Sequence, residues 1–298
     1  MFDVIIVGAG PAGLSAALIL GRCRRKVLVC DNGKPRNWVS KRVGGFLTRD
    51  GMPPAELRRV GREQLAAYDS VEVRDITVVD AQYREGGFTV ELEDGTRHGA
   101  RKLLLAAGVV DDLPEIEGAE AFYGRGVHHC PYCDGWEVRD QPLAVYGGGD
   151  SAKAMALELT MWSRDLVVCA HGAAELSEED RGQLTRAGIG IREERIVALE
   201  GDAGELERIR FDSGEALPRR ALFFPSRGRQ RCDLAERLGC NITEKGMVET
   251  GKFEKTAVGG CYVVGDASRN VQLVVIAAAE GATAAFAINS ELVKEDFA

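Results

Sequence analysis

The chain has 298 residues and a formal net charge of −8, and it is 45% hydrophobic and 28% charged. That length holds about two domains, and the composition is that of an ordinary globular protein. The acidic balance argues against nucleic acid as the main partner, because neutralising phosphates needs a basic face. Met1-Phe2-Asp3 runs straight into an apolar strand rather than a secretory signal. No apolar run approaches the ~20 residues of a membrane span, so the expectation is a cytoplasmic protein without a membrane partner.

In chain order, Phe2 to Val7 (FDVIIV) reads as a buried parallel strand, and Gly8-Ala9-Gly10-Pro11-Ala12-Gly13 as a G-x-G-x-x-G turn. Leu14 to Gly21 reads as a helix with small residues toward a sheet, and Lys26 to Cys30 as a second strand ended by Asp31. This is one βαβ unit of the dinucleotide-binding kind. Its glycines let the backbone turn tightly and approach a pyrophosphate at a helix N-terminus. Asp31 stands about 20 residues on, where an acid holds the ribose hydroxyls. A merely glycine-rich turn is the blander alternative, and the joint presence of strand, helix and acid disfavours it. Between Asp69 and Ala107, the alternating stretch Phe88 to Glu93 and the turn Asp94-Gly95 predict a small β-hairpin layer.

Cys130-Pro131-Tyr132-Cys133 is a C-x-x-C. A dithiol at this spacing closes a small reversible disulfide ring, and a thiolate at a helix N-terminus is activated. Exchange then passes two electrons through a mixed disulfide. Asp134 can carry the proton that the leaving thiolate needs. A structural disulfide does not suit a reducing compartment, and a zinc site needs two more ligands where no second C-x-x-C exists, so no metal is expected. His128 and His129 just before the pair can shuttle protons, although one packed and one solvated histidine is the commoner outcome. Cys23, Cys30, Cys169, Cys240 and Cys261 lie in or beside apolar segments and read as buried inert thiols. Cys232 sits among charges without a role.

The βαβ pattern recurs at Pro142 to Tyr146, the G-x-G-x-x-A turn Gly147 to Ala152, a helix to about Met161, and the strand Asp165 to Cys169. Here the second strand ends in Cys169-Ala170-His171-Gly172-Ala173-Ala174. No acid is present for a ribose diol and no arginine pair for a 2′-phosphate, which counts against NADPH or NADH as a working cofactor. A third signature follows at Cys261 to Val264, Gly265-Asp266-Ala267 and an apolar helix from Val271 to Leu292. The predicted fold is α/β, with two Rossmann-like domains, the second inserted in the first, and a small β layer. The domains are residues 1–114 with 227–298, and residues 115–226, with crossings at Leu113-Pro114 and Pro225-Ser226-Arg227-Gly228.

Together these residues resemble the low-molecular-weight thioredoxin reductase family over nearly the whole chain. The anchors are Gly8 to Gly13, Ala106-Ala107-Gly108, Gly124-Arg125-Gly126-Val127, Cys130 to Gly135, Gly147 to Ala152 and Gly265-Asp266. The resemblance implies FAD in the first domain, a homodimer, Cys133 as the thiol facing the flavin, Cys130 as the thiol presented to substrate, and Asp134 as the acid. The implied cofactor set is Gly8, Gly10, Pro11, Ala12, Gly13, Asp31, Asn32, Arg36, Ile76, Ala107, Gly108, Gly265, Asp266, Gln272 and Leu273. Gly265, Asp266 and Gln272 would serve the flavin side, and Ile76 and Ala107 the adenosine half.

Departures from the family narrow the activity. Members that use NADPH carry an H-R-R-x-x-x-R type run where His171 to Ala174 stand, and a Glu where Ala154 stands. The segments Asp31 to Asn37 and Gly45 to Gly51 look like a branch that includes fungal and bacterial dithiol oxidases of gliotoxin-type metabolites. Those oxidases place His after the second Cys, whereas Asp134 is the reductase choice. Reductases fed by ferredoxin have also lost the NADPH determinants. Three activities stay open. They are a thioredoxin reductase-like enzyme fed by ferredoxin or another donor, a dithiol oxidase using oxygen, and a flavin-bound redox sensor. The expected partners are a thioredoxin-like protein or a small dithiol or disulfide.

Overall fold

A computed structural model describes every residue except Glu85 and Arg227. The predicted crossing at Pro225 to Gly228 therefore includes one residue outside the described set. The elements begin with β1 (Phe2–Val7), α1 (Pro11–Arg22), β2 (Val27–Cys30), α2 (Pro54–Leu65), β3 (Val71–Arg74), β4 (Val78–Arg84), β5 (Gly87–Leu92), β6 (Arg97–Leu105) and β7 (Val109–Val110). There follow α3 (Ala119–Phe122), β8 (Val127–His128), α4 (Pro131–Asp134), β9 (Leu143–Tyr146), α5 (Gly149–Leu159), β10 (Leu166–Cys169), α6 (Glu178–Arg186), β11 (Gly190–Arg192), β12 (Ile196–Asp202), β13 (Glu205–Phe211), β14 (Ala216–Pro218) and β15 (Ala221–Phe223). The chain closes with β16 (Arg229–Gln230), α7 (Leu234–Arg237), β17 (Cys261–Val263) and α8 (Val274–Asp296).

Two compact units emerge. One comprises Met1–Trp38, Gly45–Val110 and Gly228–Ala298, the other Val39–Gly44 and Asp111–Arg227. Among the described residues, the first holds a seven-stranded sheet in the order β3-β2-β1-β6-β5-β4, with β17 also on β6. β1 lies parallel between β2 and β6. Both its faces are covered, which is why its sequence is continuously apolar rather than alternating. Val4 and Ile6 join α1 and α8 in one core, while Ile5 and Val7 join β5, β6 and α7 in the other. The alternating stretch around Phe88 continues this same sheet through antiparallel β4, β5 and β6.

The second unit holds a five-stranded sheet, β11-β10-β9-β15-β8, whose pairings are parallel. A separate antiparallel sheet, β12-β13-β14, accompanies it. The segment Val39–Gly44 packs within this unit despite its place in the sequence. A Cβ at Gly124 would meet the Val39 carbonyl at 2.9 Å, and Lys41 pairs with Glu205 at 2.9 Å.

Three local expectations change. α1 starts at Pro11 rather than Leu14, because proline's fixed φ and missing N–H suit the first helical position. α8 spans Val274–Asp296 rather than Val271 to Leu292. Leu273 before it is extended (φ −109°), and at the far end Asp296 is held by Arg25 (2.7 Å) and Arg101 (2.6 Å). Phe297 beyond it is exposed. Cys23, expected to be buried, is exposed, because it caps the solvent-facing last turn of α1. Cys30, Cys169, Cys240 and Cys261 are buried, and burial pushes the Cys30 and Cys169 thiols up to about 12.

α1 and α8 cross at small residues. A Cβ at Gly281 would stand 2.0 Å from the Ala12 carbonyl oxygen, a backbone atom that cannot rotate away. Gly281→Ala is therefore expected to destabilise the protein by about 2–3 kcal/mol, as overpacking against a rigid neighbour does. Ser290→Ala, on the exposed side of the same helix, should stay within about 0.5 kcal/mol of the parent. Urea unfolding of both variants checks the pair.

Candidate functional site

The first glycine turn joins β1 to α1. Gly8 takes φ +104°, and a Cβ there would meet the Ala106 carbonyl at 2.4 Å; a Cβ at Gly13 would meet the Gly8 carbonyl at 1.9 Å. Both positions are closed to any side chain. Gly10 differs, since a Cβ built there meets nothing within 4 Å, and its N–H donates to no described residue. Gly10 and the first turn of α1, Pro11, Ala12 and Gly13, thus leave a backbone cradle with unpaired donors at a helix N-terminus, which favours a diphosphate. Ala107 and Gly108 follow β6 beside this turn, both half-buried, with Gly108 at φ +71°.

Asp31, 6% exposed, ends β2. Its Oδ1 accepts from the Ala9 N–H at 3.1 Å, and its Oδ2 accepts from Arg58 at 2.5 Å and Arg62 at 2.8 Å. Two arginines absent from the predicted set therefore anchor the predicted ribose acid. Their signal was the spacing of four along α2, which puts both on one helix face. Asn32 turns the chain by accepting from the Lys34 N–H at 3.1 Å. Ile76 packs against the core formed with β5, β6 and α7.

Arg36, Asp266 and Gln272 converge from distant parts of the sequence. The Arg36 guanidinium donates to Asp266 Oδ2 at 2.9 Å and to Gln272 Oε1 at 2.6 Å. The Gln272 amide donates back to the Asp266 carbonyl at 3.2 Å. Gly265 takes φ +76°, and its N–H donates to Glu280 Oε2 at 2.7 Å. Glu280 is a buried acid of α8 that sequence reasoning missed. Arg269 holds its other oxygen, and burial raises its carboxyl above the usual range. Leu273 carries the chain into α8.

The dithiol belongs to the second unit. Cys130 and Cys133 are joined by a disulfide, with Cα atoms 5.3 Å apart. Cys130 is the N-cap of the single-turn α4, and its Sγ accepts from the Cys133 N–H at 3.1 Å. Neighbouring backbone fixes the loop. A Cβ at Gly135 would meet the Pro131 carbonyl at 2.6 Å and the Trp162 ring at 2.9 Å, and one at Gly44 would meet the Cys133 carbonyl at 2.8 Å. Tyr132 and Trp136 are exposed beside the pair.

His128 is buried and His129 half-buried. His128 is buried against Phe223, with ring centroids 5.3 Å apart, and its Nδ1 lies 3.5 Å from Asp134 Oδ1. His129 sits with Tyr123 and Phe224. Its Nδ1 is 3.2 Å from the Tyr123 hydroxyl, which donates to Asp111 at 2.6 Å, and Ser226 donates to the same carboxylate at 2.9 Å.

The second glycine turn, before α5, begins like the first. Gly147 takes φ +100° and its N–H donates to the Cys169 carbonyl, as that of Gly8 does to Cys30. At the position equivalent to Gly10 the two diverge, because the Gly149 N–H donates to the Ala174 carbonyl at 2.8 Å. A Cβ at Gly148 would meet the same carbonyl at 2.5 Å. The segment after β10 is fastened there by Glu193, which accepts from the Ala174 N–H at 3.0 Å, and by His171, whose Nδ1 accepts from the Ile196 N–H at 3.1 Å. Burial holds His171 below its usual range, consistent with the neutral, accepting ring.

Comparison with known proteins agrees with this arrangement. The family model described as pyridine nucleotide-disulphide oxidoreductase matches residues 2–281. A protein named "Probable thioredoxin reductase" from Arthroderma benhamiae is 30% identical, covering 90% of this chain and 74% of its own. The thioredoxin reductase sirT of Leptosphaeria maculans is 28% identical over 100% of this chain and 96% of its own. The crystal structure of an oxidoreductase from Agrobacterium tumefaciens superposes with a TM-score of 0.92 at 33% identity, covering 98% of each chain. With a match over nearly its whole length, and with two glycine turns and a C-x-x-C disulfide in place, the chain belongs to the pyridine nucleotide-disulphide oxidoreductase family as an FAD-dependent disulfide oxidoreductase of the thioredoxin reductase-like kind.

Proposed function

We propose that the chain moves electron pairs between FAD held by the first unit and the Cys130–Cys133 disulfide, and that its electron donor is not NADPH. On this reading residues 1–114 and 227–298 are the FAD-binding domain, and residues 115–226 are a nicotinamide-binding-like domain kept for the dithiol. The residues of the first unit fit the cofactor. The open cradle at Gly10 with its unpaired N–H suits a diphosphate, Asp31 suits a ribose, and the Arg36, Asp266 and Gln272 cluster suits a polar edge. Bound flavin supplies the two-electron chemistry, and the protein positions it.

The thiol steps belong to this chain. Cys130 as thiolate attacks a substrate disulfide, forming a mixed disulfide and releasing one substrate thiolate. Cys133 then attacks the Cys130 sulfur, releasing the second substrate thiolate and restoring the internal disulfide. Asp134 holds the proton exchanged with the sulfur that leaves. Substrates on this reading are a thioredoxin-like protein or a small disulfide, ferredoxin is a candidate donor, and the working form is a homodimer.

The observation that carries the donor assignment is the Gly149 N–H bonded to Ala174, where the first turn leaves Gly10 unpaired. A diphosphate at the second turn would have to displace that carbonyl, and residues 170–174 after β10 hold no arginine to repay the exchange. Anaerobic mixing of the flavin-loaded enzyme with NADPH, NADH, reduced ferredoxin or dithiothreitol tests it. The flavin should stay oxidised with either nicotinamide over the time in which ferredoxin or the dithiol bleaches it. Rapid bleaching by NADPH would overturn the assignment. Peroxide formation with dithiothreitol and oxygen alone, without any other donor, would identify the oxidase activity instead.

Two variants separate binding from chemistry. Gly10→Val fills open space at an ordinary φ of −74°, so the fold should survive while flavin is lost on desalting. Cys133→Ser should retain flavin but lose disulfide turnover by about 10³-fold or more, as removal of a reacting nucleophile does. Absorbance of the desalted protein and turnover of a small aromatic disulfide measure the two effects.

A further inference from the structure

One buried polar side chain beside the dithiol has no use in the chemistry above. His128 is 5% exposed, and neither Nδ1 nor Nε2 has a hydrogen-bond partner. An unpaired buried polar group is destabilising, because it gives up its bonds to water and gains none in return. The ring lies on Phe223, which belongs to the apolar core formed with α5, and a phenylalanine would fill that slot without the cost. Packing alone does not account for an imidazole here.

Asp134 presents the complementary deficit. Its side chain is only 18% exposed, and among the described residues its carboxylate accepts no hydrogen bond. A donor without an acceptor thus faces an acceptor without a donor, with His128 Nδ1 and Asp134 Oδ1 3.5 Å apart. A charge-assisted N–H···O⁻ bond closes at about 2.7–2.9 Å, so less than 1 Å of side-chain motion joins them. His129, the neighbouring residue, faces a different set of partners, Tyr123 and Phe224.

We infer that His128 is a positioning residue for Asp134. Its Nδ1–H donates to Oδ1 and fixes the carboxyl group, leaving Oδ2 to carry the proton exchanged with the dithiol. His128 itself forms no covalent bond and gives up no proton. The inference rests on the proposed role of Asp134 as the acid.

The test uses the flavin-loaded full chain and dithiothreitol as the probe, with kcat and KM measured for opening of the Cys130–Cys133 disulfide. His128→Phe keeps the aromatic plane and removes the donor. It should lower kcat about tenfold at unchanged KM, within the range by which misorienting a reacting group slows it. His128→Asn, whose amide places a donor near the position of Nδ1, should recover most of that loss. Asp134→Asn should be slow by itself, and adding His128→Phe to it should cost nothing more, because the two act as one unit. If His128→Phe matches the parent while Asp134→Asn is slow, or if His128→Asn gives no recovery, the positioning role is overturned and Asp134 stands alone. If Asp134→Asn is as fast as the parent, the acid assignment itself fails. Should the phenylalanine variant not fold, ¹⁵N NMR of the parent decides. A protonated Nδ1 whose signal shifts in Asp134→Asn supports the pair, and an Nδ1 without a proton overturns it.

Discussion

The Gly8 carbonyl oxygen stands 1.9 Å from where a Cβ of Gly13 would be, and the Ala12 carbonyl stands 2.0 Å from that of Gly281. These two approaches pin α1 from both sides, against its own turn and against the C-terminal helix. They leave no room for the start of α1 to shift, so its first N–H groups keep one direction relative to β1 and β6. That direction makes Gly10 a cradle rather than a kink, and it brings Gly265 against the Ala12 methyl, with 3.3 Å to a Cβ built there. Glu280 then ties Gly265 to the far helix through a buried bond. A glycine turn of this kind is a property of rigid backbone, and the side chains around it, Asp31 and Arg36 among them, are oriented upon that frame.

The second unit repeats the frame and changes its neighbour. Gly147 and Gly8 adopt nearly the same φ and make the same bond to the following strand. The difference enters after β10, where a segment without arginines folds back until the Ala174 carbonyl reaches the turn. Glu193 and His171 hold that segment, so the closure is built from several bonds rather than one. Arg192 of β11 and Arg181 of α6 are already paired with Glu194, Glu215 and Glu193. Intact glycines therefore report that the βαβ chirality is retained, and they do not by themselves report a bound nucleotide.

What could be read from the residues alone follows from the range of the forces involved. β1, its glycine turn, α1 and Asp31 were legible because the strand run, the φ requirement and the helix start all lie within one local stretch, each with a sterically forced residue type. The C-x-x-C was legible for the same reason. The partners of Asp31 were not, because Arg58 and Arg62 are brought back by tertiary packing of α2. Glu280 was hidden in an apolar helix, where a single acid reads as noise until Gly265 is placed beside it. Helix ends shifted too, with Pro11 pulling α1 forward locally and long-range ion pairs to Arg25 and Arg101 drawing α8 out to Asp296. The β12-β13-β14 sheet carried too charged a pattern to announce itself. Cys23 reads as buried from the apolar helix that precedes it, but it falls at the exposed helix end between Arg22 and Arg24.

The two histidines before the dithiol show how a sheet sorts adjacent side chains. Successive residues of an extended chain face opposite ways, and here Phe223 and Phe224 divide likewise, one into the core with α5 and the other into the core with β12 and β13. His128 follows Phe223 and His129 follows Phe224. His129 thereby enters a polar network with Tyr123, Asp111 and Ser226, in which the Tyr123 and Ser226 hydroxyls donate to the Asp111 carboxylate. His128 enters an apolar core, with Asp134 Oδ1 3.5 Å from its Nδ1. Such a network rigidifies the loop before the disulfide, whereas an incomplete pair costs stability wherever it stands. That cost lies in the segment that carries the disulfide, in a pair that a small motion completes.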